Sequence, residues 1–495
     1  MAKQWMKMAT LAGAIALTRL CMAAEVSGDW IATIGAGAQG EPQYARVMLK
    51  ADGDKISGMW GTSKIDGTLT DGKLDLKLTD AQGNAVGALT GTLSGDSFTG
   101  TGTGLSTGGG RGGFGGGMGG GGAAGGRRAA AGGAAATADA AAPGLTAAAP
   151  AAGARRAGGG GGGLGGGRGG AAAGPASFTL AHAPVPPAAP RTLTYNPTSF
   201  VGYYSAKNKP ELTIFPGDIV HTWTSDAGGV DAQGIHHRGG DDNIGPIYVE
   251  GALPGDTLAV HLLKIRTNRA TAHQGSHLNA HAASTAYLVG AQSDPAVTGD
   301  WTLLPDKGIA VPTHPSEHMK NYSVPMKPML GCISVAPQGD QQYRGGDLGP
   351  FGGNLDYNEI AEGATVYLPV FHAGALLGMG DGHAAMGDGE VVGSGLETSM
   401  DVDFSVEVIK GDSSGMVRVE IKDYLIALGV SGSVPVSIQI ATSQLATWIK
   451  QKYKLSDSEV AILFASTLKY DITELVDSRY DVAAKVPKSV LDTMK

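Results

Sequence analysis

Pro254-Gly255-Asp256-Thr257-Leu258-Ala259-Val260 sets a turn signal directly before an apolar run. Two further segments share the design: Pro216-Gly217-Asp218-Ile219-Val220, and Glu362-Gly363-Ala364-Thr365-Val366-Tyr367-Leu368. Proline presets φ at the first central position of a turn and glycine accepts positive φ at the second. Each Pro-Gly pair therefore predicts a type II turn feeding a strand. Recurrence of this unit predicts a mainly β fold, a β-sandwich or barrel-like domain over residues 184–495. A parallel nucleotide-binding sheet is excluded, because no glycine-rich phosphate loop follows a strand and opens a helix.

The end of this domain reads differently. Ser443 to Tyr453 predicts a helix with Leu445, Trp448 and Ile449 on one face. Ser456-Asp457-Ser458-Glu459 is a capping box that opens a second helix carrying Val460, Leu463, Phe464 and Leu468. This short C-terminal helical segment has packing as its expected role.

Upstream of the proline-rich joint Pro184 to Pro190, period-two alternation predicts a small antiparallel β module over residues 25–183. Leu74, Leu76 and Leu78 alternate with Asp75 and Lys77, and turn signals recur at Asp52-Gly53-Asp54, Asp71-Gly72 and Gly83-Asn84. Phe98-Thr99-Gly100-Thr101 and Ser177-Phe178-Thr179-Leu180 read as partner strands. The tract from 108 to 174 then becomes an insert within the module. It holds 30 of the chain's 81 glycines, and six arginines against Asp139 alone. With almost nothing apolar beyond alanine it predicts no core of its own. Two readings stay open for it, a solvated spacer or an arm for anionic envelope polymer or lipid. Loop-closure entropy rises only logarithmically with length, so such an insert closes cheaply.

The chain has 495 residues, with 37 basic and 45 acidic side chains and a net charge of −8. That balance argues against a nucleic-acid partner held by charge. Two cysteines, Cys21 and Cys332, exclude a disulfide scaffold. Residues 1–24 read as an export signal, with Lys3 and Lys7, the apolar stretch Met8 to Leu17, and the small-residue exit Cys21-Met22-Ala23-Ala24. The expected location is periplasmic or secreted. No transmembrane segment is expected after signal removal.

Polar residues gather in two places. Asp226-Ala227-Gly228-Gly229 precedes His236 and His237. The second gathering runs from Gly352 to Glu390, and includes Asn354, Asp356, Asp381, His383, Asp388 and Glu390. Carboxylate and imidazole two residues apart suit Zn²⁺ or a similar divalent ion. By spacing alone, the Gly/Asp loop reads equally as a surface turn or a simple calcium loop.

Four ordered motifs narrow this. Ile244-Gly245-Pro246-Ile247-Tyr248-Val249-Glu250-Gly251-Ala252 runs into Pro254-Gly255-Asp256. Gly331-Cys332-Ile333-Ser334-Val335-Ala336-Pro337 and Gly352-Gly353-Asn354-Leu355-Asp356 follow, then Gly380-Asp381-Gly382-His383 through Gly389-Glu390. In this order, across Leu193 to Ile409, they resemble the acetamidase/formamidase family. The resemblance implies hydrolysis of short amides to carboxylate and ammonia on a β-rich fold, usually in homo-oligomers and in some members with zinc. Side-chain chemistry then assigns Asp226, Asp381 and His383 as metal ligands and Glu390 as general acid/base. Asn354 and Asp356 are expected to orient water or the amide nitrogen. The alternative is a non-catalytic envelope protein that binds a small ligand on an amidase-like fold.

Two further features stand beside that reading. Cys332 is a nucleophile candidate, although a lone cysteine in an apolar strand more often packs as a small core residue. His273, His277 and His281 would share one face if helical, as a second metal site or a modified pocket, whereas Gly275 and Asn279 favour a polar loop.

Overall fold

The computed structural model describes residues 26–35, 41–105 and 174–494. The expected export signal (residues 1–24) and nearly all of the Gly/Arg insert lie outside the described residues. Among the described residues the chain is mainly β, in a closed barrel followed by several sheets.

Eight strands pair antiparallel in chain order, from Gly28–Ile34 to Ala176–His182. Ala176–His182 pairs with both Ser97–Thr103 and Gly28–Ile34, which closes the barrel. Leu74, Leu76 and Leu78 face its interior, and Asp75 and Lys77 face out. The interior is filled: Trp30 lies 5.4 Å from Phe98, and Trp60 lies 5.4 Å from Phe178, centroid to centroid. At the Asp71-Gly72 hairpin both residues take positive φ, 51° and 74°, matching strand twist as a two-residue turn should.

The main domain packs two sheets face to face. A nine-stranded sheet has Thr257–Thr267 at its centre between Thr365–Pro369 and Met400–Ile409. A six-stranded sheet places Leu377–His383 between Asn243–Val249 and Met329–Ser334. One shared core joins them, with Leu258, Val260, Val366 and Phe404 from the first and Ile244, Ile247, Ile333 and Met379 from the second. Each fully buried side chain of this kind contributes about 1.5–3 kcal/mol.

The turn units fold as their sequence dictates. Gly217, Gly255 and Gly363 have φ of 91°, 94° and 85°, and the turns are closed by hydrogen bonds from Asp218 N to Phe215 O and from Asp256 N to Leu253 O. Both aspartates do more than follow the turn. Asp218 accepts from Phe215 N at 2.9 Å and pairs with Arg191 at 2.5 Å. Asp256 accepts from Leu253 N at 2.8 Å and pairs with Arg46 at 2.6 Å. Arg46 belongs to the barrel and also donates to Gly251 O at 2.7 Å, so the second turn anchors the barrel to the main domain.

The helical segment differs from expectation in two respects. The first helix spans Val434–Tyr453 and so begins nine residues before Ser443. Pro435 sits in its first turn, where a missing N–H costs nothing. Leu445, Trp448 and Ile449 are buried as expected, and Ser456 and Glu459 form the capping box of Asp457–Thr467. The chain then returns to the nine-stranded sheet as Lys469–Glu474 and Tyr480–Pro487. No helix among the described residues is long and apolar enough to cross a membrane.

Candidate active site

Leu377–His383 is buried at all seven positions and carries the Gly380-Asp381-Gly382-His383 motif at its end. Its neighbour Met329–Ser334 pairs Leu330 with Gly382 and Cys332 with Gly380. Cys332 pairs in turn with Asn354 of Gly352–Asn354. This register stacks the second, third and fourth motifs side by side. Gly331 lies beneath the resulting pocket: a Cβ there would come within 2.2 Å of Asp381 Oδ2 and 2.5 Å of Asp356 Oδ1. Only hydrogen leaves room for the two carboxylates.

His383 is fully buried at the centre. Its Nε2 lies 3.1 Å from Asp381 Oδ1 and 3.0 Å from Glu397 Oε1. Its Nδ1 faces Asp356 Oδ1 at 3.9 Å, too long for a hydrogen bond, and both atoms lack a hydrogen-bond partner. Glu390 completes that side, with Asp356, His383 and Glu390 offering ligand atoms within 4.8 Å of one another. Asp381, His383 and Glu397 meet the same criterion on the other side. The residues thus fit a divalent cation. Two unpartnered buried donor atoms on facing side chains would otherwise be costly. A ligating histidine characteristically gives its other ring N–H to a carboxylate, which selects Nδ1 as the ligand atom and Asp381 with Glu397 as its orienting partners.

The backbone is constrained to achieve this. Asp356, Asp381 and Glu390 have φ of 40°, 56° and 46°, a region that non-glycine residues enter at a cost of order 1–3 kcal/mol each. Electrostatics follow from burial. Desolvation, reinforced by Glu474, Asp381 and Glu397 and opposed by His383, pushes Glu390 up to about 10. Asp356 is raised well above the usual carboxylate range, by burial first and then by Glu390 and Asp381. For His383 burial opposes the charged form, but Glu397 and Asp381 outweigh it and raise the imidazole well above its ordinary range.

Four sequence assignments change, the first being Asp381, which was expected as a metal ligand and instead bonds His383 Nε2. Asp226 belongs to neither group of donors: its Oδ2 pairs with Arg269 at 2.5 Å and its Oδ1 accepts from Val230 N. Glu397 faces His383 instead, and Arg269 touches both stretches by donating to Glu397 O. Asn354 is committed to its neighbours: its Nδ2 holds Asp356 Oδ2 at 2.6 Å and Asp477 Oδ2 at 2.7 Å. Its Oδ1 accepts the Cys332 thiol at 2.7 Å. Asp356, expected to orient water, presents an unpartnered oxygen to His383 and so stands with the ligands. Asp388 is exposed and accepts from Asn358.

Cys332 is fully buried, and burial together with Asp381, Asp241 and Asp356 pushes its thiol well up. A thiol held protonated is a packing group, and no nucleophile. The histidine run is no helix face. His273 ends a short strand and pairs with Asp300, His277 bonds Ser293, and helix begins only at Thr285. These three histidines form no metal group among the described residues. His237 pairs with Asp231 and stacks on Phe200. Sequence reading missed Glu397, Glu474 and Asp477. No local signal in the sequence marks any of the three.

Residues 350–449, which contain every member of both His383 groups, match the Acetamidase/Formamidase family. This stretch is similar to that family over about a fifth of the chain. Over 61 residues it is 41% identical to an acetamidase of Mycolicibacterium smegmatis, a stretch covering 12% of this chain and 15% of that protein. Likeness to solved structures extends over more of the chain. The solved structure of a predicted acetamidase/formamidase from Thermoanaerobacter tengcongensis is 29% identical with a TM-score of 0.52, covering 61% of this chain and 98% of its own. An acetamidase from Bacillus halodurans gives 25% identity and the same TM-score, over 61% of this chain and 99% of its own.

Proposed function

We propose that this chain hydrolyses short linear amides, such as formamide or acetamide, to a carboxylate and ammonia. One observation carries the reading: a buried imidazole whose unpartnered Nδ1 faces an unpartnered carboxylate oxygen, inside the family-matching stretch. Amide hydrolysis needs an activated water, a stabilised oxyanion and a proton for the departing nitrogen. Asp356, His383 and Glu390 would hold a divalent cation, with Zn²⁺ favoured by the imidazole and carboxylate donors. Such a cation acidifies water and polarises a carbonyl.

The chain's own groups do the rest. Asp381 and Glu397 fix the His383 ring by accepting from Nε2. Asn354 holds Asp356 through Oδ2 and leaves Oδ1 facing the pocket. With a cation bound, Glu390 would be held ionised, and its second oxygen would be the proton carrier, taking a proton from the attacking water and returning it to the amide nitrogen as the C–N bond breaks. Burial of Asp356, His383 and Glu390 excludes bulk water from the group.

We further propose a location outside the cytoplasm, on the reading of residues 1–24, and a homo-oligomeric state. The barrel serves as an accessory module held by Arg46, and the Gly/Arg insert as an arm or spacer within it.

The test is ammonia release from a panel of short amides by the purified chain, with His383→Ala and Glu390→Gln alongside. The proposal expects turnover by the parent and loss of at least about 10²-fold in both variants. Turnover by both variants at the parent rate would reject these roles. Ligand binding without ammonia from any amide would favour a binding protein.

A further inference from the structure

We propose that Asp356, Glu474 and Asp477 form a second divalent-cation site beside the His383 group, with Asp356 shared between the two. The inference rests on reading the His383 group as a metal centre. The three carboxylates offer ligand oxygens within 4.8 Å of one another.

Hydrogen bonds pin one oxygen of each. Asn354 Nδ2 holds Asp356 Oδ2 at 2.6 Å and Asp477 Oδ2 at 2.7 Å. Glu474 Oε1 accepts from the backbone N–H of Val476 and, at 2.8 Å, from that of Asp477. Glu474 is completely buried beside Glu390, and its Oε2 accepts no hydrogen bond from an N–H or hydroxyl, as Asp356 Oδ1 accepts none. A single side chain therefore aligns two of the three ligands, and a tight backbone turn aligns the third.

Charge makes the same demand. Asp241, Asp356, Asp381, Glu390, Glu397, Glu474 and Asp477 face one neighbourhood, with His383 as the basic group acting on them. Among the described residues, every ion pair made by a lysine or arginine falls elsewhere. Seven carboxyl groups and one imidazole in a low-polarity interior carry a burial cost that is met either by protonation or by a bound cation. A second cation on the Glu474 side reduces it where no basic side chain reaches. Three oxygen donors without nitrogen suit a hard ion such as Mn²⁺, Mg²⁺ or Ca²⁺. Partial exposure of Asp477 supplies the way in.

The experiment uses the purified full chain, stripped with chelator, dialysed against Mn²⁺ and then against metal-free buffer. Manganese per chain is measured by mass spectrometry, and coupling between ions by electron paramagnetic resonance. The expected result is two ions per chain with an exchange-coupled signal, falling to one isolated ion in both Glu474→Gln and Asp477→Asn. Asp477 is half-buried, so its variant covers the case in which Glu474→Gln fails to fold. One ion in the parent and in both variants would overturn the second site and leave the first standing. No ion in any of them would overturn both. Two ions in the parent that neither variant reduces would overturn the assignment to Glu474 and Asp477.

Discussion

Substitution of Gly331 by alanine tests the site's geometry, since it displaces two carboxylates without replacing any titratable or ligating residue. Gly331 holds a backbone conformation open to any residue, so the penalty comes from contact alone. The new Cβ would stand 2.2 Å from Asp381 Oδ2 and 2.5 Å from Asp356 Oδ1. Relaxing both to 3.0 Å moves those oxygens by about 0.8 Å and about 0.5 Å (3.0 − 2.2 and 3.0 − 2.5). A misplacement of about 1 Å costs up to about 10²-fold in rate, so kcat/KM for amide hydrolysis should fall by about 10- to 100-fold. Overpacking of this kind costs about 1–3 kcal/mol of stability, which leaves a folded protein to assay. The assay is steady-state ammonia release, paired with a thermal melt and metal content. A Gly331→Ala protein with unchanged kcat/KM and unchanged metal content would show that the two carboxylates are not held where the structure places them.

Asp226→Asn should melt at lower temperature, because breaking a buried ion pair costs about 3–5 kcal/mol, while metal per chain stays at the parent value. Loss of bound metal would return Asp226 to the ligand set. Burial works against the charged Asp218 carboxyl, but Arg191 and the Phe215 N–H outweigh it and hold it below the usual carboxylate range. Its stabilising effect is therefore complete above pH about 4 and disappears as pH falls through the lowered value. Denaturation of parent and Asp218→Asn should show a stability gap at pH 7 that closes in acid; a gap independent of pH would refute the pairing. Replacing His277 and His281 together by alanine should leave both metal content and turnover unchanged, and a loss of either would establish a role for the histidine run.

What the sequence disclosed followed the range of the interaction. The Pro-Gly turns, the Leu74-Leu76-Leu78 alternation and the Ser456 capping box depend on neighbours within a few residues, and each folds as read. Asp381 and His383 were legible because two residues along a strand return to one face. Glu397 was not, since it reaches His383 across an isolated bridge between two turns of chain. Glu474 and Asp477 arrive from beyond both C-terminal helices, and nothing near them in sequence announces the pocket. Asp226 misled for the complementary reason. A glycine-flanked acid looks available until the fold brings Arg269 to within 2.5 Å. Asn354 is similar, because a polar side chain beside Asp356 reads as a reactive group when it is the clamp that holds one.

The central claim is that a cation is held on the Nδ1 side of His383. Anomalous diffraction at the zinc edge, on crystals of the full chain grown with Zn²⁺, addresses it directly. The account predicts a peak within about 2.0–2.2 Å of His383 Nδ1 and of an Asp356 or Glu390 oxygen. A peak on the Nε2 side between Asp381 and Glu397, or zinc confined to His273, His277 and His281, would contradict it.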